Sequence, residues 1–267
     1  MRNINQLGSR RNRRHWLLIW LGLEALVIAC HQEPSQPSQP SASAPAMALD
    51  RIAIVGASVS AGFGGLGFGD AFAAATKAPV ESQANVMLFR DPIGETKTQL
   101  AKAAAFHPTA VIAIDLLFWD VYGSRDPEWR TRALDSALAE LDTLRAAGAW
   151  IVVGDVPLIT TAAEWMLPKE AVPDPQALAA INARITEWTK RERVLLVPLA
   201  AWTDPLRTNA RVSLPTGEQV EAATLMAADG LHANPLGTWY LLDKLDHLIE
   251  ERYPGTAKQA LVFVRPN

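Results

Sequence analysis

The architecture of this chain first becomes readable at Arg51-Ile52-Ala53-Ile54-Val55-Gly56-Ala57-Ser58-Val59-Ser60-Ala61-Gly62. Residues 52–55 form an unbroken apolar run closed by a glycine, the pattern of a short strand buried on both faces. Comparable runs follow at 110–114 (AVIAI), 150–153 (WIVV) and 194–198 (VLLVP). Strands of this kind suit a parallel sheet with helices on both sides.

Helical patterns fill the intervals. Residues 98–105, 127–147 and 174–191 carry helical periodicity, and the last opens with Asp174 as a cap and Pro175 in the first turn. Near the C-terminus Asn234 and Pro235 start a helix whose Leu236, Trp239, Tyr240, Leu242, Leu245, Leu248 and Ile249 form one apolar stripe. Alternating strands and helices predict a three-layer α/β/α sandwich with a mainly parallel central sheet. The segment 203–228 is irregular, with a small hairpin expected around Pro215-Thr216-Gly217.

The N-terminus reads differently. Arg10, Arg11, Arg13 and Arg14 precede an apolar run from Trp16 to Ala29 that ends at Cys30, the single cysteine. This is the layout of a signal peptide, and Val27-Ile28-Ala29-Cys30 resembles a bacterial lipobox, which implies acylation of Cys30. An uncleaved anchor helix or an ordinary secretory signal are the alternatives. Pro, Ser, Gln and Ala dominate the residues that follow, a composition unable to bury a core. The expected organisation is therefore a signal peptide (1–29), a lipid-anchored linker (30–47) and one folded domain (48–267). Its location would be the bacterial cell envelope, facing the periplasm or in the outer membrane.

The whole chain carries 25 basic and 28 acidic side chains; losing residues 1–29 removes five Arg and one Glu, leaving 20 and 27, a charge of −7. So acidic a domain is ill suited to nucleic acid. With no cysteine beyond Cys30, disulfides and thiol catalysis within the domain are excluded.

Chemistry concentrates at two points. Ser58 follows the first strand, and Asp229-Gly230-Leu231-His232 precedes the last helix. His15 and His31 fall in the leader and linker, His247 lies within the final helix pattern and His107 sits before Pro108, which leaves His232 as the best-placed base. Ser58, His232 and Asp229 would make a nucleophile, base and acid set. Taken singly, each also fits an ordinary turn or loop residue. The glycines around Ser58 match neither a dinucleotide fingerprint, because Ser58 and Ala61 stand where glycines are needed, nor a phosphate loop, because Phe63 follows Gly62. No cofactor and no metal are expected.

Gly56, Ser58, Ser60 and Gly62, together with Asp229 and His232, resemble the first and last motif blocks of the SGNH, or GDSL-type, hydrolases. Ala57 and Val59 depart from the first block. The resemblance implies a flavodoxin-like fold with Ser58 as nucleophile, His232 as general base and Asp229 as its partner. It also implies oxyanion donors at the Ser58 backbone N–H and at Gly94, which could equally be a turn glycine. Where the family carries an Asn, this chain reads Asp115-Leu116-Leu117-Phe118-Trp119-Asp120. The Trp119 indole is a substitute donor or a packing residue, and Asp115 and Asp120 are site carboxylates or strand-end and cap residues. Trp119, Trp165, Met166 and Leu167 are candidates to line an acyl pocket. The implied activity is hydrolysis of a carboxylic ester of a lipid, acylated glycan or small molecule. The alternatives are a catalytically impaired binding or assembly lipoprotein on the same scaffold, and an acyltransferase using the same triad.

Overall fold

A computed structural model describes residues 46–123, 126–208, 210–256 and 261–266. Cys30 and the expected signal peptide lie outside the described residues, as does the expected linker up to residue 45. The domain is built on five parallel strands, β1 (Ile52–Ile54), β2 (Val80–Ser82), β3 (Ala110–Ala113), β4 (Trp150–Gly154) and β5 (Val194–Val197), in the order β2-β1-β3-β4-β5. Ile52 is in register with Val80 on one side and Ala110 on the other. The expected three-layer sandwich is borne out.

Period-two alternation along each strand divides the core. Ala53, Val55, Val111, Ala113, Ile151 and Val153 face one layer, packed against α3 (Pro92–Ala105), α5 (Pro127–Ala146) and α6 (Pro175–Trp188) through Leu100, Leu134, Leu141 and Ile185. Ile52, Ile54, Ile112, Val152, Leu195 and Val197 face the other, against Phe68 and Phe72 of α2 (Phe68–Ala75) and Leu242, Leu245 and Ile249 of α8 (Pro235–Arg252). Met47 and Leu49 are also buried in this second layer.

The shorter elements are α1 (Ser58–Ala61), α4 (Phe118–Val121), α7 (Leu199–Thr203) and the antiparallel hairpin of β6 (Arg211–Ser213) and β7 (Gln219–Glu221). The hairpin forms around 215–217 as expected. The short helices α1, α4 and α7 were not anticipated, nor were two further elements. The edge strand β2 (VES) is polar and only half buried, and α2 (FGDAFAAA) begins within a glycine-rich run. Among the described residues no helix is long and apolar enough to cross a membrane.

The strand order places a topological switch beside β1, since the chain leaves β1 toward β2 and returns to β3 on the other side. In open α/β sheets the crevice at the carboxyl ends of such strands is where ligands bind. Ser58 follows β1 there, and Asp115 follows β3.

Asn234 fixes the entry of α8. Its side-chain oxygen accepts from the Gly237 N–H at 3.0 Å, and its amide donates to the Thr224 and Met226 carbonyls at 2.7 and 3.3 Å. Asn234→Ala removes a helix cap and two loop ties together, so chemical denaturation should show a loss of about 1–2 kcal/mol.

Candidate active site

Ser58, His232 and Asp229 meet at the carboxyl edge of the sheet. The Ser58 hydroxyl lies 2.7 Å from His232 Nε2, and His232 Nδ1 lies 2.7 Å from Asp229 Oδ2. Asp229 Oδ1 accepts from the backbone N–H groups of Leu231 and His232, each at 2.9 Å. Because an ionised carboxylate only accepts, it holds the ring proton on Nδ1 and leaves Nε2 to accept from the serine. Burial, the largest single influence, pushes the Asp229 carboxyl up. The bonds from His232 N–H, the His232 ring and Leu231 N–H together outweigh it and hold the group below its ordinary value.

The loop carrying Asp229 and His232 is tied on two sides. The Ala227 N–H donates to the His232 carbonyl at 2.8 Å, and the Ala163 N–H donates to the Asp229 carbonyl at 2.7 Å. Gly230 adopts φ +65°, and a Cβ there would stand 2.3 Å from the Thr161 carbonyl oxygen. Only glycine fits that approach. His107 and His247 lie elsewhere, His247 exposed on α8 and bonded to the Asp243 carbonyl.

Asp115 does not line a substrate surface. It is buried beneath α1, where Oδ1 accepts from the Ala57 N–H (3.1 Å) and the Ser60 hydroxyl (2.5 Å), and Oδ2 from the Val59 and Ser60 N–H groups (2.9 and 3.2 Å). These donors surround Ser58 on both sides in sequence. A carboxylate at the start of a helix satisfies orphan N–H groups there. A Cβ on Gly56 would sit 2.1 Å from Asp115 Oδ1, so the glycine is needed for the carboxylate to reach the turn. Gln99 secures the residue before, accepting from the Gly56 N–H (2.8 Å) and donating to its carbonyl (3.1 Å). Burial raises the Asp115 carboxyl, opposed by the bonds from Ser60, Ala57 and Val59.

Asp120 is likewise removed from the surface. It is fully buried, neither oxygen has a hydrogen-bond partner among the described residues, and burial pushes its carboxyl up to about 7. Gly94 departs from the oxyanion expectation because its N–H donates to the Asp91 side chain at 3.1 Å, capping α3. The Ser58 N–H, in contrast, has no acceptor among the described residues.

A cavity of about 280 Å³ opens onto Ser58 and His232. Trp119, Trp165 and Met166 line it, whereas Leu167 is buried in the core. Phe63, Val86, Met87, Phe89 and Leu231 complete the walls. The 86–89 run (VMLF) was the available signal for three of these. Phe63 tilts over the His232 ring at 4.8 Å, and Trp119 packs against Phe118 and Phe89 at 5.1 and 5.7 Å. The Trp119 indole N–H is buried with no partner among the described residues.

No protein-family model and no curated protein sequence matches the chain. Solved structures do share its fold. One from Bacteroides fragilis named an acylhydrolase is 13% identical, covering 78% of this chain and 90% of its own at a TM-score of 0.53. A GDSL-like lipase from Bacteroides thetaiotaomicron is 14% identical over 76% and 88%, also at 0.53. TesA is 15% identical over 75% and 98%, at 0.50. The fold expected from the resemblance to GDSL-type hydrolases is thus the fold of the chain.

Two substitutions examine the buried carboxylates. Asp115→Asn offers one acceptor oxygen to four donors, so stability should fall by about 2–4 kcal/mol in denaturant titration. For Asp120 the folded state holds the proton more tightly than the unfolded chain. Stability is therefore fully present below about pH 4 and is lost as pH rises through about 7. Asp120→Asn should raise Tm by several degrees at pH 8 and change it little at pH 4.

Proposed function

We propose that this domain is a serine hydrolase of carboxylic esters. The observation that carries the reading is the continuous Ser58–His232–Asp229 relay, 2.7 Å at each step, opening onto an apolar cavity. His232 takes the Ser58 proton as the oxygen attacks the ester carbonyl, and Asp229 stabilises the imidazolium that forms. His232 then protonates the departing alcohol, leaving an acyl group on Ser58. Water, deprotonated by His232, releases the acid and restores the serine. The Ser58 N–H is the donor positioned for the developing oxyanion.

A second reading is supported by the commitment of the Gly94 N–H to Asp91 and by the lack of an Asn in the 115–120 segment. In it the scaffold binds esters with little turnover. The two readings separate in one experiment on purified residues 47–267. Stoichiometric labelling of Ser58 by a fluorophosphonate, with turnover of a nitrophenyl ester, is the result expected of an esterase. Absence of labelling in a folded sample would sink the esterase reading, and labelling without turnover would favour the second. Ser58→Ala and His232→Ala should each lower kcat by at least about 10³-fold.

The same proposal places the domain at the bacterial cell envelope, tethered through a lipidated Cys30. The basic leader, its apolar run and the Pro- and Ser-rich segment after Cys30 support this. Cys30→Ser should move the protein from the membrane to the soluble fraction, and unchanged partitioning would count against lipidation.

A further inference from the structure

We infer that the ester cleaved at Ser58 carries a hydrocarbon acyl chain of medium length, about six to ten carbons, and that Phe89, Trp119 and Trp165 set its length. This rests on the hydrolase reading above and narrows it to a substrate class.

The chemistry of the walls makes the first selection. Apart from Ser58, His232 and the indole N–H groups of Trp119 and Trp165, the side chains lining the cavity are apolar. No carboxylate, amide, guanidinium or ammonium is present there to meet sugar hydroxyls, and a buried hydroxyl without a partner is left with its desolvation uncompensated. A glycan chain would lose hydrogen bonds on entry. A hydrocarbon chain would lose none.

Size makes the second selection. An apolar cavity of about 150 Å³ holds benzene, with its six carbons. Scaling to the 280 Å³ here gives room for about eleven non-hydrogen atoms. With the ester carbonyl at Ser58, that is a chain well beyond acetyl and well short of a membrane lipid tail.

Exposure makes the third. Six large apolar side chains stand exposed among the described residues, and four of them, Phe63, Met87, Phe89 and Trp165, rim this one cavity. Trp165 is 77% exposed. Apolar groups gathered at one mouth mark a surface that an apolar ligand covers. Within the cavity, His232 has to reach the departing oxygen, so the alcohol leaves on the His232 side. Met87, Phe89 and Trp119 come from the segments after β2 and β3, away from the His232 loop, and are assigned to the acyl chain.

The test uses residues 47–267 and nitrophenyl esters from acetyl to hexadecanoyl, each below its micelle concentration. About 0.8 kcal/mol per buried methylene makes kcat/KM rise up to about fourfold per added carbon, with a plateau near ten carbons. Phe89→Ala and Trp165→Ala should each lower the octanoyl-to-acetyl ratio of kcat/KM by about tenfold. Trp119→Ala, which deepens the cavity, should move the plateau to longer chains. A second arm compares ethyl octanoate with octyl acetate, and the octanoate should be the better substrate. Labelling of Ser58 by fluorophosphonate is run alongside. If Ser58 is labelled but the profile is flat or peaks at acetyl, the acyl-chain assignment is overturned while the hydrolase reading stands. If octyl acetate is preferred, the chain belongs to the alcohol and the assignment is overturned. If Ser58 is not labelled, both readings fall together.

Discussion

A buried carboxylate beneath the first helical turn holds the site in place. Asp115 receives the N–H groups of Ala57, Val59 and Ser60 and the Ser60 hydroxyl, while the intervening Ser58 N–H has no acceptor among the described residues. The turn is thereby bound to the end of β3, with Gly56 as the residue that permits the approach. The burial that raises the Asp115 carboxyl is the cost of this arrangement, offset by four hydrogen bonds. Ser58 is therefore positioned by an interaction across two adjacent strands rather than by its own short helix.

Long-range pairing of this kind explains what was legible in the sequence. The strands at 52–55, 110–114, 150–153 and 194–198 announce themselves because both faces are buried, and α5, α6 and α8 because Pro and a capping residue mark their starts. The edge strand Val80–Ser82 carries no such signal, since only one side of it pairs and its residues remain half exposed. Phe68–Ala75 is masked by the glycines around it, though Phe68 and Phe72 are fully buried against the sheet.

The site divides in the same way. Asp229 and His232 are three residues apart on one loop, so their pairing is local and readable. Asp115 lies 55 to 58 residues from its partners, and nothing adjacent to it in sequence reveals that it faces inward. Gly94 fits a motif by position, yet Asp91, three residues earlier, captures its N–H in a local cap. Motif matching reports which residue stands at a position and not which acceptor has already taken its donor.

The loop between β4 and α6 bears Trp165 and Met166, and through Ala163 it is bonded to the Asp229 carbonyl. Tyr122 pins the start of the same loop, donating to the Pro157 carbonyl at 2.7 Å and accepting from the Ile159 N–H at 2.8 Å. The cavity wall and the Asp229–His232 pairing thus share one piece of backbone. A length change between the Tyr122 tie and Ala163 would carry the Asp229 carbonyl's partner out of place, so the cavity wall can be reshaped without disturbing that pairing only by replacing side chains on a backbone of fixed length.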